Sequence, residues 1–270
     1  MKSICKLSNA QRIKSNSYIE AKWPVPTKVR AYATTRVGGM SQAPFDCFNL
    51  AIHVGDDEQK VIRNRQQLVQ ELGIKQTPRW LEQTHSTQVI DLDRMEQPFF
   101  SDKSPSIIQA DASFSAQPGQ VCVVMTADCL PILFANKTGS WVAAVHAGWR
   151  GLLDGIVQNT IAAYPGDPCE LLAWLGPAIS QPHFEVGEEV KFLFEQKEPS
   201  YSTAFKATGV AKYHGDLYAI TRMLLSKYGI DAFGGEFCSF SQPSQFFSYR
   251  RDGKTGRIAS LIWIESEEQQ

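Results

Sequence analysis

Four short apolar runs place the strongest constraint on how this chain can fold. They span residues 29–35, 121–126, 131–135 and 141–147 and are rich in β-branched and aromatic side chains. Runs of this length and composition are typical of β-strands. None approaches the roughly 20 apolar residues that an α-helix needs to cross a bilayer. The sequence therefore predicts a β-sheet inside a globular protein and no membrane span.

Three helical patterns accompany the strands. In each, apolar side chains recur at helical spacing, and a residue that starts or stops a helix lies at an end of the pattern. In chain order the patterns are the segment between Asp56-Asp57 and Gly73, the segment from Leu152 to Ile161 that precedes Pro165-Gly166, and the segment between Asp216 and Gly229.

The order of these elements predicts the architecture. Strands and helices alternate irregularly, which favours a mixed sheet with helices on its outer faces over a regular doubly wound sheet. The tail from residue 246 to 264 has the pattern of a strand, a turn at Asp252-Gly253 and a second strand, which indicates a β-hairpin. No repeat or linker divides the chain. We therefore predict a single α/β domain over residues 21–270, preceded by a mobile segment over residues 1–20.

Charge and cysteine usage narrow the setting and the partners. The net charge of -1 and the pI of about 6.5 give no basic surface for nucleic acid or an anionic membrane. No apolar segment near the N-terminus resembles an export signal, so we expect a cytoplasmic protein. The six cysteines form no CxxC pair, and we expect reduced thiols. The near-neutral charge and modest size fit a monomer.

Three residues with ligand chemistry lie where predicted strands end. His85 follows Gln83-Thr84, Cys129 follows the strand-like run at 121–126, and His146 ends the run at 141–147. Strand ends can meet at one edge of a sheet, and two imidazoles with a thiolate suit Zn²⁺. Three protein ligands leave a coordination position open for chemistry. From spacing alone, however, a packed or hydrogen-bonded role is the more frequent one for such residues, because they form no compact ligand motif.

A series of motifs adds to this interpretation. The chain resembles the YfiH-like family, also called the laccase-domain or polyphenol oxidase family and the purine nucleoside phosphorylase family. The matching segments run in order along nearly the whole chain: Ala-Thr-Thr-Arg-Val-Gly-Gly at 33–39, Asn49-Leu50 with His-Val-Gly-Asp at 53–56, Gln-Thr-His at 83–85, Ala-Asp-Cys-Leu-Pro at 127–131, His-Ala-Gly-Trp-Arg-Gly at 146–151, Leu-Gly-Pro at 175–177 and Phe-Ser-Tyr-Arg-Arg-Asp-Gly at 247–253.

The resemblance implies both a fold and an activity. The fold is a four-layer α/β/β/α sandwich with mixed sheets, related to cysteine-hydrolase-like domains. The activity is phosphorolysis of adenosine, inosine and methylthioadenosine, with deamination of adenosine, so the partners are purine nucleosides and phosphate. The implied cofactor is Zn²⁺ held by His85, Cys129 and His146, with Cu²⁺ as a substitute. The chain departs from the family at Pro182-His183-Phe184, where members often carry Cys or Tyr.

Four further residues within the motifs are candidates for the site. Asp128 adjoins Cys129, and three alternative roles fit it: general base, orienting group for a ligand imidazole, or cap of a turn. The fork of Arg36 suits phosphate or carboxylate, although without the motif it is a surface arginine. Asn49 orients a ribose or phosphate oxygen, or caps a turn, and Arg250 neutralises phosphate. His53 is assigned no role beyond a place near the ligands.

Two other activities use the same residues. A copper-dependent polyphenol oxidase would need more imidazoles than the five histidines of this chain provide for a multicopper set. A hydrolase acting on cell-wall precursors would use Cys129 as nucleophile and His146 or His85 as base. A pure binding module fits least, because it has no need of a metal with an open side.

Overall fold

A computed structural model describes residues 17–95 and 108–266. In chain order its strands are β1 (Tyr18–Glu20), β2 (Val29–Thr34), β3 (Val89–Asp91), β4 (Ala112–Ser115), β5 (Val121–Thr126), β6 (Leu130–Asn136), β7 (Val142–Ala147), β8 (Leu171–Leu175), β9 (Glu185–Gly187), β10 (Phe205–Gly209), β11 (Lys212–Gly215), β12 (Asp231–Gly234) and β13 (Ile258–Ile264). Its α-helices are α1 (Glu58–Glu71), α2 (Trp149–Asp154), α3 (Ile156–Ala162), α4 (Glu188–Lys197), α5 (Leu217–Ser226) and α6 (Tyr249–Asp252).

Two large sheets form the centre of the protein. One has the strand order β1-β2-β13-β5 and is antiparallel throughout. The other has the order β12-β8-β6-β7-β4-β3 and is mixed, because β12 pairs with β8, and β3 with β4, in parallel. A small antiparallel sheet, β10-β11-β9, lies beside them.

Alternation along the buried strands explains how the sheets are stacked. In β5, Cys122 and Val124 pack between the two large sheets, while Val121 and Val123 pack on the opposite face beside α1. In β6, Leu133 lies between the sheets and its neighbours face the helices α2, α3 and α5. Successive side chains of a strand point to opposite faces, so strands that are apolar on both faces must be covered on both sides.

The layers are therefore α1, the four-stranded sheet, the six-stranded sheet and the group of α2, α3, α4 and α5. This order confirms the four-layer α/β/β/α sandwich with mixed sheets. It also places the ends of β5, β6 and β7 at one edge of the central pair of sheets, where the segments with ligand chemistry lie.

Two of the three helix predictions are confirmed, and one is modified. Asp57 caps α1 by accepting hydrogen bonds from the amides of Gln59 and Lys60, and Asp216 caps α5 in the same manner. The middle helix is divided into α2 and α3 at Gly155, whose φ of 111° lies in the left-handed region.

The predicted C-terminal hairpin is wrong. Its second strand exists as β13, but the residues before the turn form α6 instead of a strand. The Ser248 hydroxyl accepts a hydrogen bond from the Arg251 amide, and the Asp128 carboxylate accepts one from the Arg250 amide. These two acceptors satisfy the free amides of a helical turn, which the sequence pattern alone does not reveal.

Three further expectations meet the structure at particular residues. Residues 1–16 of the segment expected to be mobile lie outside the described residues, while Tyr18–Glu20 forms strand β1. Cys47 is disulfide-bonded, so the expectation of reduced thiols is wrong there, because the lack of a CxxC pair does not exclude a disulfide. No helix in the described ranges has the length and hydropathy to cross a bilayer.

The contact between the sheets predicts a large stability difference between two leucine substitutions. Leu133 is fully buried between the sheets, whereas Leu193 on α4 is 43% exposed. We expect Leu133→Ala to lower the free energy of unfolding by about 2–5 kcal/mol, since it leaves a cavity. Leu193→Ala should change it by less than about 0.5 kcal/mol. Urea unfolding followed by tryptophan fluorescence measures both; similar losses for the two variants would contradict the sheet packing.

Candidate metal centre

The register of β6 and β7 brings Cys129 beside the end of β7. Leu130 pairs with Ala147, and Pro131 pairs with His146. Cys129 precedes Leu130 by one residue, so its side chain lies at the edge where β7 ends. His85 reaches the same edge from the loop before β3, where its φ of 62° turns the chain. Residues that are far apart in sequence therefore meet because antiparallel pairing fixes two of them and a turn delivers the third.

The three candidate ligands are close to one another. Cys129 Sγ lies 3.7 Å from His85 Nε2. The imidazole rings of His85 and His146 lie edge to face, with centroids 4.8 Å apart. One ligand atom from each of the three residues lies within 4.8 Å of the others. The prediction that these side chains converge is thus matched by their placement in the structure.

A buried carboxylate that the sequence analysis did not identify holds two of these ligands. Asp111 is fully buried directly before β4. Its oxygens accept hydrogen bonds from the amides of Thr84, His85 and Ser86, from the Ser86 hydroxyl, and from His146 Nδ1 at 2.7 Å. Its backbone carbonyl also accepts the His146 amide. A buried charge is stable only when it is paired and hydrogen-bonded, so this carboxylate fixes the His85 turn and the His146 ring together.

The hydrogen bond between His146 Nδ1 and the Asp111 carboxylate determines which nitrogen of His146 is available to a metal ion. Because Nδ1 binds the carboxylate, Nε2 is left to face Cys129 and His85. A carboxylate behind a ligating imidazole is the usual arrangement in protein metal sites, where it orients the ring and raises its basicity. A single charged residue between Ala110 and Ala112 is the sequence signal that would have indicated Asp111.

The electrostatics of the group favour a thiolate. Burial alone would raise the pKa of Cys129, but the charge of His146 and hydrogen bonds from His146 and His85 lower it to about 6. Burial alone would lower the pKa of His146, but the Cys129 charge and the Asp111 hydrogen bond raise it to about 9. The two shifts have opposite directions, so the pair favours a thiolate beside an imidazolium.

Gly148 allows the close approach of the ligands. A Cβ atom added at this position would lie 2.6 Å from His85 Cδ2 and 3.1 Å from Cys129 Sγ. Only glycine leaves that space free. The close approach of His85 and Cys129 therefore explains the glycine of His-Ala-Gly-Trp better than its position at the start of α2 does.

The donor set fits a zinc ion. Zinc bonds of about 2.0–2.3 Å place tetrahedral ligand atoms about 3.3–3.6 Å apart, close to the 3.7 Å between Cys129 Sγ and His85 Nε2. Two nitrogens and one thiolate are the ligand types that zinc prefers, and three protein ligands are characteristic of a catalytic site. The oriented Nε2 of His146 completes the set.

The three candidate ligands, which we call the metal group (His85, Cys129 and His146), line a cleft of about 380 Å³. Besides the three ligands, its wall includes His53, Gln83, Met125, Thr126, Ala127, Tyr249 and Arg257. Gln83 is held in place by two hydrogen bonds of 2.7 Å between its amide and the backbone of Met125. These two hydrogen bonds hold the loop that carries His85 against the end of β5, so this part of the cleft wall is fixed relative to the sheet.

Two predicted substrate residues, Arg36 and Asn49, lie away from the cleft wall. The Arg36 guanidinium donates to the carbonyls of Asp46 and Pro243 and stacks on Phe247. The Asn49 side chain is fully buried; its amide donates to Ala51 and Asp56 and accepts from Ala51 and Arg257. Their donors are thus engaged within the protein.

Arg250 and Asp128 form a contact with each other beside the cleft. The Asp128 carboxylate accepts hydrogen bonds from the Ser239 hydroxyl at 2.6 Å and the Arg250 amide at 2.7 Å. The Arg250 guanidinium donates to the carbonyls of His183 and Glu185. This geometry matches the alternative in which Asp128 caps a turn.

Besides Asp111, sequence reasoning missed two residues of the cleft wall, Tyr249 and Arg257. Both line the cleft, and Tyr249 is 60% exposed. The guanidinium carbon of Arg257 lies 5.9 Å from the Tyr249 ring centroid. Tyr249 adjoins Arg250 in a motif already identified, but Arg257 stands outside the matching segments, and only the fold brings it to the cleft.

Comparisons with known proteins agree with this geometry. A family model described as multi-copper polyphenol oxidoreductase laccase matches residues 30–265. The chain is 45% identical to the purine nucleoside phosphorylase of Haemophilus influenzae, covering 92% of this chain and 99% of that protein. It is 44% identical to the purine nucleoside phosphorylase YfiH of Escherichia coli, covering 91% of this chain and 98% of that protein.

Solved structures show the same fold. A Neisseria meningitidis protein superposes with a TM-score of 0.86 at 44% identity, covering 93% of this chain and all of that chain. YlmD from Geobacillus stearothermophilus superposes with a TM-score of 0.83 at 26% identity, with the same coverage. The resemblance indicated by the motifs is confirmed.

The close approach at Gly148 predicts an effect on metal affinity. We expect Gly148→Ala to weaken Zn²⁺ binding by about 10-fold or more, because the methyl group displaces His85 and Cys129 from a shared centre. Gly209→Ala is the matched control, since a Cβ there meets no atom within 4 Å. Competition with a chromogenic chelator measures both affinities; equal affinities in the two variants would contradict the proposed ligand geometry.

The lowered pKa of Cys129 predicts its reactivity in metal-free protein. The thiolate is the nucleophile, so alkylation of Cys129 by iodoacetamide should rise with pH through a midpoint of about 6 and then level off. Burial raises the pKa of Cys122 to about 12, which should leave that thiol unreactive. Peptide mapping by mass spectrometry measures both sites. A midpoint for Cys129 near that of a free cysteine would show that His146 does not stabilise the thiolate.

Proposed function

We propose that the chain, which belongs to the family described as multi-copper polyphenol oxidoreductase laccase, is a zinc-dependent purine nucleoside phosphorylase that also deaminates adenosine. The relatives that are 44–45% identical over nine-tenths of this chain are named purine nucleoside phosphorylases, which supports the phosphorylase activity. Adenosine, inosine and methylthioadenosine are the proposed nucleosides, with phosphate as the second substrate.

One observation carries the proposal: a three-ligand metal group faces a cleft large enough for a small molecule. His85, Cys129 and His146 contribute one ligand atom each, and all three residues line the cleft. The volume of about 380 Å³ lies within the range of about 300–1,000 Å³ typical of small-molecule sites. A closed structural zinc site would have four protein ligands and no such opening.

His85, Cys129 and His146 would hold the zinc ion. When bound there, zinc supplies a Lewis acid and lowers the pKa of a water molecule towards neutrality. The chain's own contribution is orientation. Asp111 fixes the His146 ring and the backbone of the His85 turn, so the ligands are arranged before a substrate arrives.

Another part of the cleft wall is suited to a nucleoside. Tyr249 presents an exposed aromatic ring on which a purine can stack. In phosphorolysis a phosphate oxygen forms a bond to C1′ while the bond from C1′ to N9 breaks. The bonding electron pair leaves with the purine, which receives the proton that the phosphate gives up. Cationic groups near C1′ hold the phosphate in place for this step.

The residues predicted to bind substrate take supporting roles in this proposal. Asn49 accepts a hydrogen bond from the Arg257 amide and so positions Arg257 at the cleft. Asp128 holds the start of α6 through Arg250, next to Tyr249. Arg36 anchors the segments around Asp46 and Pro243. Direct contact with the nucleoside is left to the side chains of the cleft wall.

A cysteine hydrolase remains the second candidate because of one specific feature. Cys129, His146 and Asp111 form the thiolate, imidazole and carboxylate series that such hydrolases use. Removal of the metal distinguishes the two candidates, since a thiol mechanism keeps its rate in the stripped protein. A multicopper oxidase is disfavoured: all five histidines lie in the described ranges, and only His85 and His146 belong to the metal group found there.

Replacement of a single thiol tests the proposed activity. We expect the purified protein to convert adenosine and phosphate to adenine and ribose 1-phosphate, and adenosine without phosphate to inosine. Cys129→Ala should lower both rates by at least about 100-fold and reduce zinc from about one ion per chain to near none, because one of three ligands is lost.

Cys169→Ala is the matched control, since Cys169 is an exposed free thiol outside the metal group. Chromatography of the products and elemental analysis measure the outcome. A zinc-loaded, folded wild-type protein that yields neither adenine nor inosine would refute the proposed function. Full activity in a metal-free Cys129→Ala variant would refute the role of the metal group.

A further inference from the structure

Two half-buried arginines near the cleft have no carboxylate partner among the described residues. One nitrogen of the Arg257 guanidinium, Nη1, donates hydrogen bonds to the carbonyls of Thr255 and Gly256. Arg65 on α1 donates to the Leu50 carbonyl and stacks on Trp80, with its guanidinium carbon 4.0 Å from the ring centroid. Burial lowers the pKa of Arg257, and it lowers that of Arg65 to about 10. The nearby charges of Cys129 and Asp128 favour the charged form of Arg257. The backbone carbonyls use only part of each guanidinium, so both arginines keep N–H donors for an anion.

His53 adds a hydrogen-bond donor beside Arg257. It lies in the 3₁₀ turn Ile52–Val54 and lines the cleft together with Arg257. Partial burial, and then the positive charges of Arg257 and Arg65, lower the pKa of His53, so its imidazole is neutral at pH 7 and keeps one N–H donor. The carboxylate that acts on His53 in the opposite sense is Glu82, which is exposed and hydrogen-bonded to Gln109.

We propose that Arg257, His53 and Arg65 form the subsite that binds inorganic phosphate. Arg257 and His53 contact the anion from the cleft wall, and Arg65 supplies charge from behind them. This inference rests on the proposed phosphorylase activity and assigns its second substrate to specific residues. It also moves the phosphate from Arg36 and Arg250, because neither of these residues lines the cleft.

The position of Arg257 links this subsite to the metal group. Arg257 and Cys129 line the same cleft. Asn49 accepts a hydrogen bond from the Arg257 backbone amide, and the carbonyls of Thr255 and Gly256 accept hydrogen bonds from the Arg257 guanidinium. A guanidinium that is held in place in this way can present its remaining N–H donors to two oxygens of a phosphate.

Steady-state kinetics with a varied phosphate concentration test the subsite. We expect Arg257→Gln to raise the KM for phosphate by about 10- to 100-fold, the loss typical of a charge-assisted hydrogen bond, and His53→Gln to raise it by about 3- to 10-fold. Deamination of adenosine needs no phosphate and should stay within about 3-fold of wild type in the control variant Arg63→Gln. Arg63→Gln is the matched control, because Arg63 is exposed on the same helix as Arg65.

Each outcome decides the proposal. An unchanged phosphate KM in both Arg257→Gln and His53→Gln overturns it, as does an equal rise in Arg63→Gln. If Arg257→Gln does not fold by circular dichroism, the exposed His53→Gln variant decides alone. If wild-type protein phosphorolyses no nucleoside, the proposed function fails independently. Equilibrium dialysis with radiolabelled phosphate then tests the subsite: binding that His53→Gln weakens supports it, and equal or absent binding overturns it.

Discussion

The site depends above all on one buried carboxylate. Asp111 accepts four hydrogen bonds from the Thr84–Ser86 turn and one from His146 Nδ1. Such a charge is too costly to bury unless its lone pairs are satisfied, so the turn that carries His85 must close around it. The same bonds hold the pKa of Asp111 low, against the effect of its burial. The metal group is thus part of the hydrogen bonding of the core and not an addition to the surface.

The fold was predictable wherever one segment carried its own signal. The apolar runs that became β2, β5, β6 and β7 are strands within one residue of the expected bounds, because their length and composition leave no other buried structure. The capping residues Asp57 and Asp216 likewise marked α1 and α5. The C-terminal hairpin failed because α6 is held by Asp128, a residue more than a hundred positions earlier in the chain. No local pattern contains that information.

The convergence of three side chains at the candidate site was predictable from the sequence, whereas the residues around them were not. His85, Cys129 and His146 were identified through motifs, and pairing of β6 with β7 explains how two of them meet. Arg36 and Asn49 carry suitable chemistry, but packing commits their donors to backbone carbonyls and buried partners. Arg257 and Asp111 are single residues in ordinary surroundings. Their importance comes from tertiary contacts that place a cation at the cleft and an anion beneath it.

The three ligands differ in how firmly the protein holds them. His146 lies within a central strand and is only 5% exposed, whereas His85 is exposed on a loop at the mouth of the cleft. A metal ion held by these residues would therefore be fixed mainly by His146 and reached by water or a competing chelator from the side of His85. The mobility of the loop that carries His85 would then limit how fast such an ion exchanges.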